Sequence, residues 1–177
     1  MSRGRLHASR HDGFAAGLLP IFTMVLLALV TVMPVKIPGY AAVTPLFVLM
    51  GAYHWTVYRP DLLPPVALFV LGCVVDLLAG APLGVSSLVL LVVRTAVMRQ
   101  RKFFVGRLFP FVWAGFALAA GAAAALQWAL GCAINAGLFD PRSALLQWVL
   151  SVGAYPVVSW ILMRLQRWSL ATWEARA

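Results

Sequence analysis

The chain has 177 residues, of which 63% are hydrophobic and only 11% charged, with a net charge of +9 at pH 7. A soluble domain carries roughly 25% charged and 45–50% apolar residues, so this composition excludes an ordinary soluble fold and points to an all-α membrane protein. The apolar stretches are about 20 residues long with short polar breaks between them, and in lipid such stretches satisfy their own backbone only as helices.

Residues 1–12 carry Arg3, Arg5 and Arg10 and have too little apolar content to fold alone, so they read as a disordered cytoplasmic lead. Residues 13–165 read as a six-helix transmembrane bundle, and residues 166–177 as a basic cytoplasmic tail with Trp168 and Trp173 suited to the interface. Helix 1 is expected from Phe14 to Met33. That apolar run is longer than a signal-peptide core and lacks a small-residue cleavage site, so removal as a signal is not expected. Helix 2 is expected from Ala41 to Tyr58, interrupted by Pro45 and Gly51, with Tyr53, Trp55 and Tyr58 as an interfacial aromatic belt. A tight turn through Arg59, Pro60 and Asp61 leads to helix 3, where Pro64 or Pro65 suits the first helical turn.

Helix 3 ends in the stretch around which the chain is organised, GCVVDLLAGAPLG from Gly72 to Gly84. Gly72, Asp76, Gly80 and Gly84 recur every fourth residue, the spacing of one helical face, and small residues on such a face admit close approach of a second helix. Pro82 and Leu83 mark the turn into helix 4, expected from Leu83 to Met98 and antiparallel to helix 3. A carboxylate at membrane depth costs about 2.5 kcal/mol or more, so Asp76 must face protein or water. It either caps helix 4 through the opening amides, Ser86 or Ser87, or it serves a ligand or proton. Arg94 lies too far from the turn to pair with it.

Arg99, Arg101, Lys102 and Arg107 form a dense basic run next, flanked by Phe103, Phe104 and Phe109. Between two membrane helices this pattern reads as a cytoplasmic loop on anionic lipid rather than as a nucleic-acid surface. Helix 5 is expected from Phe111 to Ala133, rich in Ala and Gly, with Gln127 as its one polar side chain. Helix 6 is expected from Ser143 to Met163, with Gln147 near its start and Pro156 in its middle. Six spans place all of the 14 basic residues except Lys36 and Arg142 on the side of the two termini. By the positive-inside rule that side is the cytoplasm.

Cys73 and Cys132 belong to different depths and are expected to be unpaired, and His7, His11 and His54 lack partners at ligand spacing, so neither a metal nor another cofactor is expected.

The segment from Pro45 through Trp55, Arg59 and Pro60 to VLGCVVDLLAGAPLG resembles the rod shape-determining protein MreD family, whose helix 3 reads G-x-x-x-D-x-x-x-G-x-x-x-G. Gly72, Asp76, Gly80, Leu83 and Gly84 match it residue for residue. The resemblance implies a non-enzymatic subunit of the cell-elongation machinery, working with MreC, the actin-like MreB, the RodA glycosyltransferase and its penicillin-binding transpeptidase in lateral peptidoglycan synthesis. It also implies a fold similar to the substrate-binding subunits of energy-coupling-factor transporters.

Two functions follow. The first is a scaffold in the bacterial inner membrane that holds a partner's transmembrane helix on its small-residue face; no catalytic set at membrane depth competes with it. The second is a small-molecule-binding transporter subunit, because Asp76, Ser86, Ser87, Gln127 and Gln147 all fall near the periplasmic ends of their helices and are able to converge on one pocket. A plainer use of the glutamines is a hydrogen bond to each other across helices 5 and 6. Helix 1 lacks the A-x-x-x-A face with which vitamin-transporter subunits dock their energising partner, which favours the scaffold.

Overall fold

A computed structural model describes residues 8–32, 44–104, 109–134 and 140–174. Its elements are α1 (Ala8–Val32), α2 (Phe47–Tyr58), a 3-10 turn (Pro60–Leu62), α3 (Pro65–Ala79), α4 (Val85–Phe104), α5 (Phe109–Ile134) and α6 (Arg142–Glu174). Consecutive helices pack as α1 on α2, α3 on α4, α4 on α5 and α5 on α6, while α2 also lies against α4 and α6.

The centre of the bundle is α2. Every residue from Val48 to Val57 is buried, because α1, α4 and α6 enclose it and leave it no lipid face. This corrects the expected aromatic belt: Tyr53 and Trp55 are core residues, and only Tyr58 is exposed. Both of these rings bring their polar atom to a partner, as burial of Tyr and Trp favours. Tyr53 Oη donates to the Val112 carbonyl at 3.0 Å, and Trp55 Nε1 donates to Thr23 Oγ1 at 3.1 Å. Tyr155 stacks on Phe116 with centroids 4.1 Å apart and meets Tyr53 edge-on at 5.8 Å. Gly51 sits where α1 crosses, since a Cβ there would lie 2.6 Å from Leu27 Cδ1 and 2.7 Å from Met24 Sδ.

Several boundaries differ from expectation for local reasons. The start of α2 lies at Phe47, after Pro45, so this proline precedes the helix instead of interrupting it; residues 41–43 lie outside the described set. Both ends of the chain are more helical than expected, α1 starting at Ala8 and α6 running to Glu174, since no Gly or Pro follows Pro156 to stop it. Residues 1–7 lie outside the described set. Arg99, Arg101 and Lys102 are on the last turns of α4 and not in a loop, and Arg107 lies outside the described residues. Pro65 does take the first position of α3.

A proline within a helix leaves the carbonyl four residues earlier without its donor. In α6 the proline is Pro156 and the carbonyl is that of Val152, which accepts the indole N–H of Trp113 on α5 at 2.9 Å. Trp148 repeats the cross-link one layer away, donating to the Ala117 carbonyl at 2.9 Å and lying over Gly121, where a Cβ would meet Nε1 at 3.3 Å. At Pro156 the Trp113 indole thus repairs the backbone where lipid offers no water to do so.

Candidate functional site

The turn between α3 and α4 is built on a single residue. Asp76 is fully buried. Its backbone carbonyl accepts the Ala81 N–H at 2.9 Å, while the Leu77 carbonyl accepts that of Gly80 at 3.4 Å. This pair of bonds is the Schellman closure of a helix, and it needs a left-handed residue, which Gly80 supplies at φ 65°. The side chain of Asp76 reaches forward to the opposite helix: Oδ2 accepts the Gly84 N–H at 2.8 Å and the Ser86 N–H at 3.2 Å, with Oδ1 also 3.2 Å from Ser86 N. A carboxylate on the first amides of a helix is favoured by the bonds and by the positive end of the helix dipole. Of the two uses expected for Asp76, capping is the one these contacts display.

The four-residue repeat divides accordingly. The helix stops at Ala79, so only Gly72 and Asp76 share a helical face; Gly80 and Gly84 are turn residues with φ of 65° and 97°. A Cβ at Gly72 would lie 2.5 Å from both Cα and N of Ser87, which makes it the close-contact glycine of the α3–α4 pair. At Gly80 and Gly84 a Cβ would meet nothing within 4 Å, so the expectation that they pack helix 4 is corrected. Pro82 and Leu83 lie in the turn, exposed.

Ser87 turns away from Asp76. Its hydroxyl donates to the Phe69 carbonyl at 2.8 Å and sits 3.3 Å from Cys73 Sγ. Cys73 and Cys132 are free thiols. Farther along α4, Arg94 Nη2 donates to the Leu63 carbonyl at 3.2 Å, tying the other end of the helix pair to the preceding turn.

Beside the Asp76 turn lies a cavity of about 520 Å³ to which all six helices or their flanking residues contribute. Asp76, Ser86, Gln127 and Gln147 line it, together with Thr44 and Trp128. Ser87 does not, for the reason just given. The two glutamines do not bond each other: Gln147 Nε2 donates to the Thr44 carbonyl at 3.0 Å, fixing α6 to the start of α2. A second bond there, from the Leu46 N–H to Ser151 Oγ at 2.9 Å, has no signal in the sequence; a Ser in an apolar run gives no sign of which backbone it will meet.

Among the described residues, two helices are long and apolar enough to cross a membrane, Phe109–Ile134 and Arg142–Gln166, and two shorter apolar helices are Leu19–Thr31 and Pro65–Ala79. Their outward residues are large and apolar, Leu118, Val149 and Trp160 among them. The fold and the site define a helical membrane protein with a polar-lined cavity beside the α3–α4 turn.

The family model described as rod shape-determining protein MreD matches residues 13–165. The chain belongs to that family. No curated protein and no solved structure matches it.

Proposed function

We propose that this chain is a non-enzymatic scaffold subunit of the cell-elongation machinery in the bacterial inner membrane. It spans the bilayer six times through residues 13–165, with residues 1–12 and 166–177 in the cytoplasm. It binds MreC and connects cytoplasmic MreB to RodA and its penicillin-binding transpeptidase during lateral peptidoglycan synthesis. The observation that carries this reading is the family match over nearly the whole chain.

Further features support it. The carboxylate of Asp76 is engaged by the Gly84 and Ser86 amides, which is a structural use of the one acidic side chain in a span. The face of Gly72 and Asp76 is taken by α4 within the chain, so a partner's transmembrane helix would lie against an outer apolar side of the bundle such as Val66, Phe69, Val70 and Leu77 of α3. Arg99, Arg101 and Lys102 end α4 on the side of both termini, where about 1 kcal/mol per basic residue is available from anionic lipid. The polar cavity at the opposite end supports a bundle of the kind found in substrate-binding subunits of energy-coupling-factor transporters.

Depletion of the protein in its rod-shaped host is the test of function. Cells should become round as lateral wall synthesis loses its organisation, and MreC should co-purify with the chain in mild detergent. Normal rod width after full depletion would refute the proposal.

A further inference from the structure

The cavity beside the Asp76 turn contains more polar chemistry than the fold uses. Gln127 lines it and its amide makes no hydrogen bond to any described residue, and the same holds for the Ser86 hydroxyl. Gln147 gives its Nε2 to the Thr44 carbonyl and leaves Oε1 unengaged. These half-buried side chains keep their polar atoms open to the cavity, where water or a ligand can meet them. The rest of the lining is mainly apolar, from Leu49, Val75, Val89 and Leu90. A volume of about 520 Å³ with apolar walls and a few convergent polar groups falls within the roughly 300–1,000 Å³ of small-molecule sites.

We propose that this cavity binds a small uncharged amphiphile whose head carries amide or hydroxyl groups, held by Gln127, Gln147 and Ser86, with its apolar part against the α2–α4 walls. The charge preference follows from Asp76. Although it lines the cavity, both of its oxygens already accept from the amides that open α4, and the positive end of that helix offsets its charge. What remains open are carboxamide and hydroxyl groups, which pair with both donors and acceptors and carry no net charge.

The test uses the full chain in lipid nanodiscs and three labelled probes with the same eight-carbon tail, each below its micelle-forming concentration: octanoyl-N-methylglucamide, octanoate and octyltrimethylammonium. Saturable binding of the glucamide above the other two is expected. Gln127→Leu should weaken it by about tenfold, the loss of a hydrogen-bond pair, whereas Leu118→Gln on the lipid-facing side of α5 should leave it unchanged. Tightest binding of octyltrimethylammonium would show that the charge of Asp76 governs the cavity and would overturn the proposal. So would unsaturable partitioning of all three probes, or glucamide affinity unaltered in Gln127→Leu. The ranking of probes on the unmodified chain decides the matter even if a variant folds poorly.

Discussion

Trp113 donates its indole N–H to the carbonyl of Val152 across 2.9 Å, and Val152 is the residue whose carbonyl Pro156 deprives of a helical donor. The tryptophan and the proline are therefore energetically coupled although they lie on different helices. Trp113→Phe should destabilise the chain by about 1–3 kcal/mol, because it strands an acceptor with no water at hand. In a Pro156→Ala background the new alanine supplies the missing backbone N–H, and the same tryptophan substitution should cost about 1 kcal/mol less. Unfolding in mixed micelles of all four variants yields the coupling; equal costs in both backgrounds would disprove it.

The glycines of the organising stretch should rank by what surrounds them and not by their spacing. Gly72→Ala places a methyl group 2.5 Å from the Ser87 backbone, which cannot rotate away, so the cost should reach or pass the upper end of the roughly 1–3 kcal/mol typical of overpacking. Gly80→Ala meets no atom and incurs only its left-handed backbone, about 1–2 kcal/mol. Thermal melting of the two variants in detergent checks the order, and a Gly80→Ala more damaging than Gly72→Ala would reverse this account.

For Asp76 the geometry separates charge from hydrogen bonding. Oδ2 alone accepts from both Gly84 and Ser86, so Asp76→Asn with its carbonyl oxygen in that position keeps both bonds and should be mild. Asp76→Leu strands two amides at about 1–3 kcal/mol each and should lower membrane level and melting temperature together. Expression, melting and rescue of rod shape are the three readouts. An Asp76→Asn protein that is fully stable yet fails to restore shape would assign the carboxylate a role beyond capping.

The orientation is checked by labelling. With Cys73 and Cys132 replaced, a cysteine at position 102 should resist a membrane-impermeant maleimide applied to intact cells and react after permeabilisation. Labelling from outside would invert the whole arrangement.

Helix number, the α3–α4 turn and the convergence of Asp76, Ser86, Gln127 and Gln147 are legible in the sequence because each rests on one-dimensional signals: apolar run length, a proline between short polar breaks, and distance from a helix end. The side on which a residue faces is not. The Tyr53 and Trp55 rings have the composition of an interfacial belt, and only the enclosure of α2 by three helices shows them to be core. Spacing by four likewise fails to separate a packing face from a turn, since Gly80 and Gly84 continue the count of Gly72 after the helix itself has ended. Depth alone places Ser87 beside Asp76, yet its hydroxyl lies toward Phe69.

The bonds at Asp76 also dictate an order of events during synthesis. The residue arrives in the membrane on α3, but the amides that receive its carboxylate belong to Gly84 and Ser86, which leave the ribosome later. Until then α3 carries an unanswered charge into lipid, so it gains nothing by leaving the insertion machinery alone. The turn between the two helices contains no charge to drag across the bilayer. On the six-span arrangement proposed above, α3 and α4 should therefore leave the insertion machinery together, as one hairpin.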